Sequence, residues 1–312
     1  MYRHRGQFPR MRSPSRREFI QTGAASLASL IALPPSSRFP LPPSLRIGYA
    51  AITWNGRDLD AIDDISSLGY PGIQLRSNIL PSFGNRPAAL RELLARKRLT
   101  FAAFSSGSVG IDPARRQQSI DEHVSNARFL ASAGGLALQI TDTRPRERAI
   151  TPDDCARLAE VLSAIGRRTA ELGIPVGYHP HMGTIGERPE NADRVLSASD
   201  PRYVKLLLDV AHYQQGGGDP VSAIRRYRDR LVLLHIKDVE SPVPADPKLT
   251  YRFVELGRGR VNITAVFDAL REIGFNGWAV VELDSVTDPA RTPKESAAIS
   301  KTYLETHGIR LS

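Results

Sequence analysis

The chain has 312 residues, of which 41% are hydrophobic and 24% are charged, and this balance excludes disordered, collagen-like and coiled-coil proteins. Its single cysteine, Cys155, excludes an internal disulfide and a thiolate metal cluster. The net charge of +9 is concentrated at the start, where residues 1–38 hold seven arginines and one acid. Residues 39–312 hold 35 basic and 32 acidic residues, so we expect no nucleic-acid-binding surface.

The first 44 residues are predicted to form an export signal followed by a proline-rich linker. The segment Ser15-Arg16-Arg17-Glu18-Phe19 matches the twin-arginine pattern, and an apolar run from Ile20 to Leu33 follows it. This run is shorter than the roughly 20 residues that span a bilayer as a helix, so we expect no stable membrane span. The exception is an export signal that is not cleaved and stays as an anchor. The alternative is a disordered basic tail. We therefore expect a periplasmic or otherwise exported protein with one folded domain over residues 45–312.

After residue 44, short apolar runs alternate with longer amphipathic ones. The apolar runs are rich in Val, Ile, Leu and Ala, which is typical of buried parallel strands. The predicted strands are Arg46–Ile52, Gly72–Leu75, Thr100–Phe104, Ala137–Ile140, Pro175–Tyr178, Tyr203–Leu208, Leu231–Ile236 and Trp278–Leu283. The predicted helices are Asp58–Leu68, Pro87–Ala95, Gln117–Ser132, Pro152–Leu172, Pro220–Tyr227, Ile263–Ile273 and Pro293–His307.

Eight strands that alternate with helices predict an α/β fold, a single-domain (β/α)₈ TIM barrel. The alternative is an open doubly wound sheet. No G-x-G-x-x-G follows the first predicted strand, and Gly216-Gly217-Gly218 with Asp219 is interpreted as a loop and helix cap. These observations favour the barrel.

Four of the seven histidines fall where predicted strands five, six and seven end: His179, His181, His212 and His235. Asp209 ends strand six and Glu282 ends strand eight. Active groups of barrels lie at these carboxyl ends, and polar groups buried there without partners would be costly. Oxygen and imidazole ligands suit a divalent ion such as Mn²⁺, Co²⁺, Mg²⁺ or Zn²⁺, so Asp209, His235 and Glu282 are predicted metal ligands.

Each of these residues also has a purely structural interpretation. A carboxylate at a strand end is often a helix cap or an ion-pair partner, and His212 could be a core imidazole. Lys237 and Asp238 could pair with each other, and Asp284 is expected to cap the following loop. The coincidence of three such residues on three successive strand ends favours a metal site.

Residues 45–306 resemble the xylose-isomerase-like TIM-barrel superfamily of sugar-phosphate isomerases and epimerases. The resemblance rests on Leu208-Asp209-Val210-Ala211-His212, His235-Ile236-Lys237-Asp238 and Gly277-Trp278-Ala279-Val280-Val281-Glu282. Within the superfamily, the inosose dehydratase branch is the most similar. That likeness rests on Ile52-Thr53-Trp54-Asn55, residues 178–184, Gly217-Gly218-Asp219-Pro220 and residues 257–262. The resemblance implies a divalent metal on Asp209, His235 and Glu282, and it assigns Trp54 to substrate binding.

The chain departs from the superfamily pattern on strands two and five. The resemblance implies a fourth ligand, usually a strand-five Glu, but that position falls near Gly177. We therefore expect His179, His181 or water to complete the ligand set. Alternation places both histidines on one side of an extended strand, and a metal-bound imidazole lacks the lone pair that a base needs. We assign His179 to the metal and His181 to proton transfer, although the reverse assignment stays open. Strand two ends Gln74-Leu75-Arg76, where many relatives carry Glu.

The chemistry that fits these residues is enolisation of a keto-sugar, cyclitol or keto-glycoside, which leads to isomerisation, epimerisation or loss of a β-oxygen. His179 or His181 is the expected base, with His212 and Lys237 contacting substrate oxygens and Lys237 assisting catalysis. Export disfavours a phosphorylated cytoplasmic substrate.

Two other functions are weighed. A non-catalytic sugar-binding barrel that has lost its first ligand is the main alternative. An abasic-site endonuclease of the same superfamily is disfavoured, because it needs histidines from strands two and three and this chain has none between Arg5 and Glu122.

Overall fold

The computed structural model describes residues 45–311 apart from Glu147 and Pro247. Within them, eight parallel strands form a closed barrel, so the predicted (β/α)₈ fold is confirmed. The predicted export signal and proline-rich linker, residues 1–44, lie outside the described residues.

All eight predicted strands belong to the barrel. They are β1 (Arg46–Ala50), β2 (Gly72–Arg76), β3 (Thr100–Val109), β4 (Leu138–Asp142), β5 (Val176–Tyr178), β6 (Val204–Asp209), β7 (Leu231–Ile236) and β10 (Trp278–Val281). The last strand, β10, closes the barrel by pairing with β7 on one side and β1 on the other. Two further strands, β8 (Asp238–Glu240) and β9 (Arg252–Val254), form an antiparallel pair after β7 that the sequence did not predict.

The seven predicted helices are present with bounds close to those expected. They are α1 (Asp58–Ser67), α3 (Pro87–Arg96), α4 (Arg116–Ser132), α5 (Pro152–Ala170), α8 (Pro220–Arg226), α9 (Ile263–Glu272) and α10 (Pro293–Thr306). Three short helices were not predicted, and they are α2 (Leu80–Phe83), α6 (Pro189–Ala198) and α7 (Val210–Gln215). Asp219 accepts hydrogen bonds from Val221 N and Ser222 N at the start of α8, which confirms the predicted cap.

Apolar side chains fill the amino-terminal end of the barrel. Trp278, the first residue of β10, reaches β2, where a Cβ on Gly72 would lie 2.2 Å from its ring. Ala102 and Leu233 pack in the same cluster. Because this end is filled, polar groups inside the barrel gather at the carboxyl ends of the strands.

No helix in the described part of the chain is long and apolar enough to cross a membrane.

Candidate metal centre and cavity

Four polar side chains meet at the carboxyl end of the barrel. His179 directly follows β5, Asp209 ends β6, His235 is the penultimate residue of β7, and Glu282 directly follows β10. One nitrogen or oxygen of each lies within 4.8 Å of those of the other three. All four residues are buried. The residues assigned to the metal from the sequence are therefore brought together, and we call this set the four-residue cluster.

The backbone of α7 fixes the Asp209 carboxylate. Its Oδ1 accepts hydrogen bonds from Ala211 N and His212 N, each 2.9 Å long, and so caps the helix. Its Oδ2 turns the other way and lies 3.6 Å from His235 Nδ1. Glu282 Oε1 lies 3.3 Å from the same nitrogen. His235 Nδ1 therefore faces two carboxylates at once.

Three atoms of the four-residue cluster are buried without a hydrogen-bond partner among the described residues. They are His179 Nδ1, Asp209 Oδ2 and His235 Nδ1. Buried polar atoms without partners are costly, and a cation that binds all three removes that cost. Two imidazole nitrogens with two carboxylates are a donor set suited to a hard or borderline divalent ion. The residues present fit such a metal.

The surroundings set the protonation of the cluster. Burial, with His235 and His181 nearby, holds the pKa of His179 well below its usual value, so this imidazole is neutral and keeps a lone pair. Burial disfavours a charged Glu282, but His235 and Lys237 outweigh it and hold the pKa of Glu282 well below its usual value. The pKa of Asp209 is likewise held low against burial, by His212, Lys237 and His235. Burial also opposes the imidazolium of His235, yet Glu282 and Asp209 raise its pKa to about 9.

His181 lies beside the cluster but outside it. Its Nδ1 lies 2.7 Å from the carbonyl oxygen of Met182, which can only accept, so Nδ1 carries a proton and Nε2 is the nitrogen that this hydrogen bond does not use. Its ring lies 5.4 Å from that of His179 and 3.6 Å from that of His212, measured between centroids. His179 and His181 both line one cavity, although β5 ends at Tyr178, before either histidine, so strand alternation is not the reason.

That cavity has a volume of about 180 Å³ and opens at the carboxyl end of the barrel. Its walls are mainly hydroxyl, amide and charged side chains. They include Gln74, Arg76, Ser105, Ser108, Gln139, Thr141, His179, His181 and Glu282. The sequence had not singled out the serines, Thr141 or Gln139. A polar residue at the end of an apolar strand is the signal that could have identified Gln139 and Thr141, since both follow Leu138 on β4.

Trp54, His212 and Lys237 do not line this cavity. The ring of Trp54 is buried edge-on against Tyr49, and its Nε1–H donates to Asp64 Oδ2 on α1. The assignment of Trp54 to substrate binding therefore finds no support in the geometry, because the ring is buried and its polar tip is already engaged.

His212 is buried behind His181. Its Nδ1 accepts a hydrogen bond of 3.3 Å from Met182 N, and its ring packs against Phe253 on β9. Burial, followed by the charge of Lys237, holds the pKa of His212 well below its usual value. Its Nε2 lies 3.2 Å from Lys237 Nζ, so His212 links the segment that follows His181 to the buried lysine.

Lys237 forms ion pairs that the sequence did not predict. Its Nζ donates to Asp284 Oδ1 at 2.5 Å and to Glu282 Oε1 at 3.0 Å. The lysine is fully buried, and these carboxylates outweigh burial to raise the pKa of Lys237 above its usual value. Asp284 was expected to cap the following loop and instead holds this ammonium. Lys237 does not pair with Asp238.

Asp238 organises the motif of residues 257–261. Its carboxylate accepts hydrogen bonds from Gly257 N, Gly259 N and Val261 N. A Cβ on Gly259 would lie 2.3 Å from Asp238 Oδ1, so only glycine fits there. This motif therefore fixes the chain next to Lys237.

Asp142, at the end of β4, anchors the segment that carries His181. It accepts hydrogen bonds from Tyr178 Oη at 2.9 Å and from Ile185 N at 2.6 Å. Burial raises the pKa of Asp142 to about 6. Asp142 could not be selected from the sequence, because its two partners come from a different strand and loop.

Comparisons with known proteins agree with this architecture. Residues 62–303 match the model of the family described as xylose isomerase-like TIM barrel. An inosose dehydratase of Lacticaseibacillus casei is 27% identical, and the match covers 84% of this chain and 97% of that protein.

Two solved structures share the fold. One, described as an IOLI protein with a binding zinc atom, superimposes with a TM-score of 0.72 at 20% identity and covers 84% of this chain and 98% of its own. The 3-keto-D-glucoside 4-epimerase YcjR from E. coli gives a TM-score of 0.65 at 19% identity, with 83% of this chain and 99% of its own covered.

Proposed function

We propose that this chain, which belongs to the xylose isomerase-like TIM barrel family, is a divalent-metal-dependent enzyme that enolises a keto-sugar, cyclitol or keto-glycoside. The observation that carries the proposal is the four-residue cluster, in which three of the four side chains leave a buried atom without a partner among the described residues. Similarity to an inosose dehydratase and to the fold of a keto-glucoside epimerase supports a substrate of this class.

His179, Asp209, His235 and Glu282 would hold the metal. A divalent ion bound there supplies a Lewis acid for a substrate carbonyl and so makes the hydrogens on the adjacent carbon more acidic. Mn²⁺, Co²⁺, Mg²⁺ and Zn²⁺ all accept this donor set, and the related IOLI fold is described with zinc.

His181 is the proposed general base. Since Nδ1 donates to Met182 O, Nε2 is the nitrogen that can take a proton, and the residue lines the cavity. Asp142 and the ring of His212 hold the segment in place. His179 belongs to the metal set instead, because its ring is neutral and buried and one of its nitrogens lies within 4.8 Å of a ligand atom of each of the other three residues.

Two outcomes follow once His181 has taken a proton from the carbon next to the carbonyl. In an isomerase or epimerase, the proton returns to the same carbon on the other face or to a neighbouring carbon. In a dehydratase, the bond to a hydroxyl on the next carbon breaks, and that oxygen leaves as water after it gains a proton. We favour the dehydratase outcome, because the similarity to inosose dehydratase spans most of both chains.

The cavity wall supports a small polyhydroxylated substrate. Ser105, Ser108, Thr141 and Gln139 offer hydroxyl and amide groups to sugar oxygens, and a volume of about 180 Å³ accommodates a single ring rather than an extended chain. The sequence predicts that Lys237 and His212 contact substrate oxygens and that Lys237 assists catalysis. Both side chains are buried behind His181, so these roles require a substrate that reaches past His181.

We also propose that the protein is exported by the twin-arginine route. The support is the order of the segments, with Arg16-Arg17 ahead of an apolar run and a proline-rich linker.

The proposed function is tested by metal analysis coupled to a solvent-exchange screen. Purified protein is loaded with Mn²⁺, Co²⁺, Mg²⁺ or Zn²⁺ and incubated in D₂O with inososes, keto-sugars and keto-glycosides. We expect one tightly bound ion and deuterium at the carbon next to the carbonyl of at least one compound. A protein that binds these sugars but neither holds metal nor exchanges hydrogen would instead be the non-catalytic barrel.

A further inference from the structure

Two glutamine side chains form a buried bridge across the barrel to the four-residue cluster. Gln74 on β2 and Gln139 on β4 are 2% and 7% exposed. Gln74 Nε2 donates to Gln139 Oε1 at 2.6 Å, and Gln74 Oε1 lies 3.0 Å from His235 Nε2. The register places Gln74 beside Ala50 on β1 and Ala103 on β3, so small neighbours leave room for its side chain to extend across the interior.

The orientation of the Gln74 amide sets the donors and acceptors of this bridge. An amide has its two N–H donors on nitrogen and its acceptor on oxygen. Because Gln74 turns its nitrogen to Gln139, it turns its oxygen to His235. A carbonyl oxygen cannot donate, so His235 Nε2 carries a proton. The other ring nitrogen, Nδ1, is then the one that can offer a lone pair once His235 is neutral, and it is the nitrogen that faces Asp209 and Glu282.

We propose that Gln74 is a positioning residue that holds the His235 ring and its Nε2–H tautomer for metal binding, and that Gln139 fixes the amide of Gln74 in the required direction. The inference rests on the proposed function, since it takes His235 to be a metal ligand. It extends that proposal to two residues outside the four-residue cluster. Partners of this kind keep the ring orientation and the basicity of a ligating histidine.

The bridge gives a physical reason why an amide, and not a carboxylate, serves at position 74. A carboxylate at this position would accept from His235 equally well, but it could not also donate to Gln139 Oε1. With Gln74, both contacts of the bridge are satisfied by one side chain.

The test is metal affinity in matched variants, measured by titrating metal-free protein with Zn²⁺ and Mn²⁺. Gln74→Met has a similar shape but no acceptor, and we expect a loss of metal affinity of about 10–100-fold. Gln74→Glu restores the acceptor, and we expect affinity at or above that of the wild type. Gln139→Met should weaken binding less than Gln74→Met, whereas Gln139→Glu, which still accepts from Gln74, should leave it unchanged.

The rescue by Gln74→Glu separates positioning from packing, because a merely structural role would respond to shape and not to the presence of an acceptor. Gln117→Met, an exposed position on α4, serves as the control and should not change affinity. Equal affinities of wild type and Gln74→Met would overturn the inference and leave the proposed function standing. A wild-type protein that binds neither ion would overturn both.

Discussion

His235 Nδ1 lies 3.3 Å from Glu282 Oε1, and this contact joins two strands that the barrel places side by side, β7 and β10. Asp209 Oδ2 approaches the same nitrogen from β6 at 3.6 Å. One imidazole nitrogen thus stands between two carboxylates inside a buried site. Such a site holds either a proton or a metal ion at Nδ1. The competition between the two makes both the metal affinity and the stability of the metal-free protein depend on pH.

Loss of His235 should therefore remove the metal without unfolding the barrel. We expect His235→Ala to bind divalent ions at least about 10–100-fold more weakly, because removing a ligand costs no less than removing the group that orients it. Far-UV circular dichroism should stay unchanged, since the apolar core does not depend on the ion. His307→Ala, at an exposed position after α10, is the control. Full metal occupancy in His235→Ala would contradict the assignment.

Metal affinity should rise with pH in the neutral range. The pKa of His235 is raised to about 9 in the metal-free site, so Zn²⁺ must displace a proton from Nδ1 below that pH. We expect affinity to increase from about pH 6.5 to about pH 9, with about one proton released per ion bound. Isothermal titration calorimetry in buffers of different ionisation enthalpy measures both quantities. Affinity that is flat over this range would show that His235 is not the group displaced.

The stability of the metal-free protein, in contrast to its metal affinity, should fall as the pH rises. A raised pKa means that the folded protein binds the proton more tightly than the unfolded chain does, so this contribution is complete below about pH 6.5. It is lost as the pH rises through about 9, and it is on the order of 3 kcal/mol. Urea unfolding of metal-free wild type and His235→Ala at both pH values separates this contribution from the rest of the protein.

Asp142 should matter for stability and for the placement of His181. Replacing it with Ala leaves the buried donors Tyr178 Oη and Ile185 N without their acceptor, and we expect a loss of about 1–3 kcal/mol in the free energy of unfolding. Asp229→Ala removes a carboxylate that is almost fully exposed, and it should change the free energy by far less. Equal effects of the two substitutions would mean that Asp142 does not anchor this segment.

Export depends on two arginines outside the described residues. We expect the double substitution Arg16→Lys and Arg17→Lys to leave the protein in the cytoplasm, whereas Arg10→Lys with Arg12→Lys should not. Fractionation of cells that express each form gives the answer. Unchanged localisation of the first variant would refute the twin-arginine interpretation.

The sequence predicted the barrel and the cluster for the same physical reason. Parallel strands bury both faces and read as apolar runs, and their carboxyl ends must meet at one end of the barrel. Asp209, His235 and Glu282 could therefore be grouped without coordinates. The helix α7 was missed because it begins directly after Asp209, within what reads as a loop. The helix α6 was missed although Pro189 and Glu190 mark its first turn.

Contacts across the barrel could not be predicted in this way. Gln74 and His235 lie on strands that are not neighbours, and no periodicity relates an amide on β2 to a ring on β7. The pairing of Lys237 with Asp284 depends on how the chain turns after β10, and the burial of Trp54 depends on Asp64 of α1. Residue type at a strand end indicates that a side chain is available for chemistry, but only the packed structure decides which neighbour engages it.

Hydrogen exchange at the carbon next to the carbonyl, followed by NMR in D₂O with metal-loaded protein, tests the central claim most directly. Wild type should exchange this hydrogen in an inosose, keto-sugar or keto-glycoside. His181→Ala should keep its metal and lose about 10²–10⁴ in exchange rate, whereas His179→Ala should lose both metal and exchange. The reverse pattern would swap the roles of the two histidines. Wild-type protein that holds a divalent ion but exchanges no such hydrogen in any of these compounds would contradict enolisation itself.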